Sequence, residues 1–277
     1  MRVTEALREG RALLEAAGWS AEEALREVRM ILGHILGVRP LDVYLSLERE
    51  IPEERFRKAL AKRMRGVPLA YILGQVEFYG RVFRVEPGVL IPRPETEVLV
   101  ETVLAEDLPP GPLLELGVGS GVVLLTLLAE DSSRWGVGVD VSPLALRLTR
   151  RNAEDLGLAE RTFLVRGDWL SPLAPRRRFA ALVTNPPYVA EEEWAELPAE
   201  VRDHEPREAL WGGPEGLVFI RRTLVEGPPF LQPGGKIFLE IGYNQKDRVR
   251  ELCEERGFAV RFVPDLSGTF RVAVVTP

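Results

Sequence analysis

Leu113-Leu114-Glu115-Leu116-Gly117-Val118-Gly119-Ser120-Gly121 runs from four largely apolar residues into glycines at every second position, and residues 122–130 follow with the apolar density of a buried helix. A short strand that feeds a glycine turn and then a helix is the opening of a βαβ unit. Alternate glycines let the main chain turn tightly and let a ligand approach it, while the helix start behind them offers N–H donors. The alternation continues downstream, with strands at 135–140, 162–166, 179–184 and 235–241 and helices at 143–152, 218–225 and 245–256. It predicts an α/β chain with a doubly wound, Rossmann-like parallel sheet, closed by an antiparallel pair at 258–263 and 270–275.

In an open α/β sheet, ligands bind beyond the carboxyl ends of the strands. Four successive strand ends carry chemistry. The first is the loop Gly117, Val118, Gly119, Ser120 and Gly121. The second is Asp140, placed to accept from both ribose hydroxyls of a nucleoside, or else to cap the helix that begins at Pro143. The third is Gly167-Asp168-Trp169, where Asp168 can accept an adenine amino hydrogen and Trp169 can cover the ring. The loop reads G-x-G-x-G rather than the dinucleotide G-x-G-x-x-G, and no second mononucleotide half follows. A single adenosine-type cofactor is therefore expected.

The fourth strand end is Ala181-Leu182-Val183-Thr184-Asn185-Pro186-Pro187-Tyr188. Both prolines fix φ and lack an N–H, so acceptors are left facing outward. A planar nitrogen carrying two hydrogens, a carboxamide or an exocyclic base amine, can donate to the Asn185 side-chain oxygen and the Pro186 carbonyl together, with Tyr188 as a flat wall. The bland alternative is a turn that ends a strand.

The bulk numbers narrow the classes. Of 277 residues 45% are apolar and 28% charged, which is ordinary for a globular chain of one or two domains. The single cysteine, Cys253, excludes an internal disulfide, and no apolar run is long enough for a membrane span or a signal core, so a cytoplasmic location is expected. A net charge of −6 argues against a general nucleic-acid binder. Two histidines, His34 and His204, and one cysteine leave no cluster at metal-ligand spacing, so no metal is expected.

Residues 3–64 carry apolar side chains at helical spacing, with Ser20 as an N-cap, Gly37 as a stop and Pro40 and Pro52 opening further helices. The last of these presents Arg55, Arg57, Lys58, Lys62, Arg63 and Arg65 on a polar face read as solvated, with contact to an RNA or an acidic partner as the alternative. Residues 76–85 switch to a β-rich pattern around a glycine turn, a hairpin. Pro92-Arg93-Pro94-Glu95 then holds a charged pair rigidly before a helix near Thr96. Residues 190–216 show no period and read as an irregular lid or docking loop. The expected division is 1–75 as a helical bundle, 76–90 as a hairpin linker and 91–277 as the cofactor-binding catalytic domain.

These residues together resemble a known family. The glycine loop, Asp140, Asp168 with Trp169, and Asn-Pro-Pro-Tyr at 185–188 are similar to class I S-adenosylmethionine-dependent methyltransferases of the amino-methylating group. Pro68-Leu69-Ala70-Tyr71-Ile72-Leu73-Gly74-Gln75, Glu77-Phe78-Tyr79-Gly80, the run from Leu90 to Glu97 and Glu205-Pro206-Arg207-Glu208-Ala209-Leu210 narrow the resemblance to the HemK/PrmC family. The resemblance implies methylation of the side-chain nitrogen (N5) of the glutamine in the Gly-Gly-Gln tip of class 1 peptide-chain release factors. It implies that Gly117 to Gly121, Asp140, Trp169 and Asn185 bind the cofactor, that Asn185, Pro186, Pro187 and Tyr188 hold the glutamine, and that the helical bundle recognises the partner. Val118 stands where a smaller or polar residue is more usual, which a position acting through its backbone tolerates.

A carboxamide nitrogen is a poor nucleophile, so the expected contribution of the protein is alignment by Asn185 and Pro186, with no general base before transfer. The rival readings are a glutamine methyltransferase of a ribosomal protein, a nucleic-acid amino-methyltransferase, which would need a basic groove, and a cofactor-binding module that acts by docking. A monomer is expected.

Overall fold

The computed structural model describes residues 1–277. It divides into two compact units, Met1–Gly74 with Ala199–His204, and Gln75–Pro198 with Glu205–Pro277.

The first unit is helical. α1 (Val3–Ala16), α2 (Ala21–Leu36), a 3-10 turn (Pro40–Ser46), α3 (Glu53–Arg63) and α4 (Leu69–Leu73) surround Leu14, Val28, Ile31, Leu32, Phe56 and Leu60, all buried. Ser20 caps α2 through a reciprocal box with Glu23, and Gly37 ends it with φ +70°. One sequence expectation fails here. Arg63 belongs to no solvated face: its guanidinium donates to Glu27 at 2.5 and 2.9 Å, to the Val67 carbonyl at 3.1 Å and to Glu200 at 2.6 Å, and it lies over the Trp19 ring at 4.9 Å. Glu27 sits one helix away and Glu200 is 137 residues downstream, so neither partner was visible in the period of α3.

The second unit begins with the hairpin β1 (Gln75–Phe78) and β2 (Arg81–Arg84), whose turn residues Tyr79 and Gly80 both have positive φ, +50° and +69°. That two-residue geometry matches the twist of the flanking strands. Then follow α5 (Glu97–Leu104), β3 (Leu113–Leu116), α6 (Val122–Glu130), β4 (Gly136–Asp140), α7 (Pro143–Asp155), β5 (Thr162–Arg166) and β6 (Phe179–Thr184). The short α8 (Ala199–His204) is the late segment of the first unit; α9 (Val218–Glu226), β7 (Leu231–Glu240), α10 (Lys246–Glu254), β8 (Ala259–Pro264) and β9 (Phe270–Thr276) complete the chain.

The seven-stranded sheet runs β5-β4-β3-β6-β7-β9-β8, parallel from β5 to β7, with β9 antiparallel to both its neighbours. Both faces are covered, as a parallel sheet requires. Leu114, Leu116, Leu182, Ile237 and Leu239 pack on Ile220 and Leu224 of α9 and Val249 and Leu252 of α10. Leu113, Ala181, Val183 and Phe238 pack on the opposite side with Leu99 and Val103 of α5 and Leu124, Leu127 and Leu128 of α6.

The strand and helix bounds over 113–184 follow the sequence expectation closely. The segment 190–216, expected to be irregular, instead holds short helical turns at Glu192–Glu196 and Arg207–Ala209 besides α8. Elements of one turn are too short to display a 3.6-residue period.

Candidate active site

The sheet order reverses between β3 and β6, because the chain moves outward from β3 to β5 and then returns to lie on the other side of β3. The crevice at such a reversal is where open α/β sheets bind ligands. Leu116 and Thr184 are register partners there, and the Thr184 hydroxyl donates to the Leu116 carbonyl at 2.8 Å. The glycine loop and Asn185 therefore leave the sheet side by side.

Gly117, Gly119 and Gly121 all take positive φ, +70°, +55° and +84°. A Cβ on Gly121 would stand 2.7 Å from Thr149 Cγ2, whereas one on Gly119 would meet nothing nearer than 3.9 Å, so the main chain at Gly119 is open to a ligand. Side chains from α7 fasten the loop from behind. Thr149 donates to the Gly119 carbonyl at 2.9 Å, and Asn152 donates to the carbonyls of Ser120 at 2.8 Å and Arg84 at 3.1 Å. Gly121 has no side chain with which to cap α6, and the buried Glu115 does so from β3, accepting from Leu124 N–H at 2.9 Å. Burial, the dominant influence, holds its carboxyl well above the usual range. Val118 points into the core, in space that a Cβ on Gly138 would occupy at 2.8 Å from Val118 Cγ2. The departure from a smaller residue at 118 is thus matched by the glycine at 138.

Asp140 ends β4 and accepts from Gly119 N–H and Ser142 N–H, both at 2.9 Å. Burial raises its pKa, and the N–H donors of Gly119, Ser142 and Val141 oppose that rise. Val141 beside it is 60% exposed, an apolar face next to the carboxylate. Asp168 is exposed and paired with Arg222 at 2.8 Å. Trp169 has φ +56° and is buried: its Nε1 donates to Thr223 at 3.0 Å, its ring packs on Phe219, and one edge lies 3.8 Å from where a Cβ on Gly117 would be. Trp169 is thus part of the core beneath the loop.

At the end of β6, Asn185 Nδ2 donates to Thr96 Oγ1 at 3.2 Å. One of its two N–H hydrogens is engaged there, which turns the side-chain oxygen outward as the acceptor left for a ligand. The Tyr188 hydroxyl reaches Glu240 Oε1 at 3.4 Å, while Oε2 of that buried carboxyl has no partner. Burial pushes the Glu240 carboxyl up to about 7, against the Thr96 hydroxyl, Arg271 and the Tyr188 hydroxyl, which favour the charged form. The Tyr188 hydroxyl is raised by burial first and by the Glu240 charge second.

Beyond Tyr188 the backbone is clamped. Gln245 Nε2 donates to the carbonyls of Tyr188 at 3.0 Å and Gly216 at 3.1 Å, and its Oε1 accepts from Gly242 N–H at 2.9 Å. A Cβ on Gly216 would lie 2.2 Å from the Tyr188 carbonyl oxygen, so the strands of chain can meet only there as glycine. Arg93, flagged in the sequence, donates to the buried Glu205 at 2.5 Å, and Glu205 also accepts from Ile91 N–H at 3.0 Å. The sequence reading missed Glu115, Asn152, Gln245 and Glu240; a polar residue inside an otherwise apolar strand, as at Glu115 and Glu240, is the one local signal that pointed to any of them.

Residues 5–74 match the family model of the PrmC N-terminal domain, and residues 94–201 match that of the methyltransferase small domain. The chain is 42% identical over 276 residues, 98% of its own length and 97% of the relative's, to a release factor glutamine methyltransferase of Cereibacter sphaeroides. It is 39% identical to the release factor glutamine methyltransferase of Aquifex aeolicus over 91% of each chain. Among solved structures it resembles a methyltransferase from Pyrococcus furiosus, with a TM-score of 0.54 at 20% identity over 71% of this chain and 88% of that one.

Proposed function

Because the chain belongs to the release factor glutamine methyltransferase family, we propose that it transfers a methyl group from S-adenosylmethionine to the side-chain nitrogen (N5) of the glutamine in the Gly-Gly-Gln motif of a class 1 peptide-chain release factor. The observation that carries this reading is the in-register pairing of Leu116 with Thr184, which sets a ligand-accessible glycine loop next to an amide whose free atom is an acceptor.

The residues present fit the cofactor. The open main chain at Gly119 admits it, the Asp140 carboxylate retains lone pairs for ribose hydroxyls, and the exposed Val141 offers an apolar face for the base. Gly117, Val118, Ser120 and Gly121 shape that cradle, and Trp169 supports it from below; Asp168 remains at its rim. When bound, S-adenosylmethionine supplies an electrophilic methyl carbon on a sulfonium.

The chain's own residues supply alignment. Asn185 Oδ1 and the Pro186 carbonyl accept the two N–H hydrogens of the glutamine carboxamide and turn its nitrogen in line with that carbon. Pro187 stiffens the loop and Tyr188 walls it. As the nitrogen gains positive charge its N–H groups become stronger donors, so the same two oxygens bind the transition state more tightly than the ground state. The proton leaves afterwards to water, and no general base is needed first. Residues 1–75 serve as the release-factor recognition domain and 91–277 as the catalytic domain, in a cytoplasmic enzyme; no helix is long and apolar enough to cross a membrane.

The test incubates the protein and S-adenosylmethionine with a purified class 1 release factor, a ribosomal-protein mixture and DNA in parallel. One methylene of added mass on the Gly-Gly-Gln glutamine alone is the expected result. Modification confined to a ribosomal protein or to DNA, or no modification at all, overturns the reading.

A further inference from the structure

Asn185 can present either end of its amide, and the two ends have nearly the same shape. With the oxygen forward it grips a substrate N–H; with the nitrogen forward two donors face each other. What decides between them is the polarity of the group behind it.

That group is Thr96, 2% exposed, whose oxygen accepts from Asn185 Nδ2 at 3.2 Å. A hydroxyl carries one hydrogen, so Thr96 can accept from Asn185 only while its own hydrogen points elsewhere. The carboxyl on which the Thr96 hydroxyl acts is Glu240, the last residue of β7, 2% exposed and with no close hydrogen bond to Oε2. Tyr188 donates to the other oxygen of the same carboxyl. Both ends of the 185–188 motif thus converge on one buried carboxyl group, the first through Thr96 and the second directly.

We propose that Thr96 and Glu240 are positioning residues which, by accepting in series, hold the Asn185 carboxamide with its oxygen facing the substrate nitrogen. The inference deepens the methyltransferase reading above and rests on it. If Glu240 presented a donor instead, the Thr96 hydrogen would turn to Asn185, the amide would rotate, and the acceptor needed by the substrate would be lost. The charged groups facing Glu240 are Arg271 from β9, which favours its ionised form, and Glu95 from the segment before α5, which opposes it. Arg271 is itself tied to Asp265 at 2.9 Å, so it is a fixed charge rather than a mobile partner.

The experiment compares Thr96→Val, which keeps the shape and removes the hydroxyl, with Thr96→Ser, which keeps the hydroxyl, with Glu240→Gln, which keeps the shape and adds a donor, and with the Thr96→Val/Glu240→Gln pair. Two readouts are taken: kcat, KM and cofactor Kd on a release factor, and the side-chain amide signal of Asn185 in nitrogen-15 spectra, assigned through Asn185→Ala. Thr96→Val and Glu240→Gln are each expected to lower kcat about 10- to 100-fold, with cofactor Kd changed less than about threefold. The double variant should fall no lower than the weaker single one, because both break one chain of bonds. Thr96→Ser should recover most of the loss.

The Asn185 amide signal should shift and exchange faster in Thr96→Val and Glu240→Gln than in the parent and Thr96→Ser. An unchanged amide signal in Thr96→Val, or losses in kcat that multiply in the double variant, overturns the proposal. If Glu240→Gln fails to fold, the valine and serine pair at Thr96 decides alone. If the parent protein leaves the release factor unmethylated, the functional reading fails while the amide spectra still judge the relay.

Discussion

Gln245 holds Tyr188 by its main chain: Nε2 of the glutamine donates to the tyrosine carbonyl at 3.0 Å and to the Gly216 carbonyl at 3.1 Å, while its Oε1 receives Gly242 N–H. Gln245→Ala leaves two carbonyls and one N–H without that partner, at about 1–3 kcal/mol for each group that stays unpaired. A melting temperature lowered by several degrees and a kcat reduced more than cofactor affinity are the expected outcomes. Scanning calorimetry and steady-state kinetics on one preparation check both.

Asn185→Ala removes an acceptor that binds the transition state better than the ground state. Turnover should drop by about a hundredfold or more while cofactor Kd stays within about threefold. Calorimetric titration with S-adenosylmethionine set beside single-turnover methylation separates the two. Equal losses in both would mean that Asn185 serves cofactor binding instead.

Glu240 couples stability and turnover to pH in opposite directions. Its folded-state pKa is pushed up to about 7 from the ordinary 4.5 of a glutamate, so between those values the native chain binds a proton that the unfolded chain has lost. The resulting stabilisation is complete below the unfolded value and disappears as pH rises through about 7, a swing of about 3 kcal/mol. Turnover runs the other way, since the ionised carboxyl is the better acceptor for Thr96, and kcat should climb through the same range. Denaturant midpoints measured across that window should fall with pH in the parent and change less in Glu240→Gln.

Arg63→Ala strips the guanidinium from Glu27, a carboxylate that is 7% exposed. Leaving one partner of a buried pair behind costs about 3–5 kcal/mol. Urea unfolding of the full chain should show that loss, and loss of under about 1 kcal/mol would make the pair no more than a surface contact.

Much of the second unit was legible because its signals are local. Leu113 to Leu116 and Phe179 to Thr184 are strands over the residues the apolar runs indicate, and the alternating glycines at 117, 119 and 121 all take positive φ. The order in which glycine loop, Asp140, Asp168 and Asn185 close successive strands was legible too, since it needs only the period and its interruptions. Long-range pairing was not. Nothing near Asn152 says that it fastens Ser120 and Arg84, and nothing near Gln245 says that it reaches back to Tyr188 across 57 positions. Trp169 illustrates the same limit. Its place after a strand end suggests a wall for a ring, while its burial against Phe219 and its bond to Thr223 depend on where α9 packs.

The passage of residues 199–204 into the helical unit has a consequence for biosynthesis. Glu200 completes the set of partners around Arg63, yet it is made 137 positions later. At roughly 5–20 residues per second, a nascent bundle waits on the order of ten seconds before that carboxylate exists. The amino-terminal helices therefore leave the ribosome unfinished. A gene fragment cut at the end of α4 would encode a permanently incomplete module.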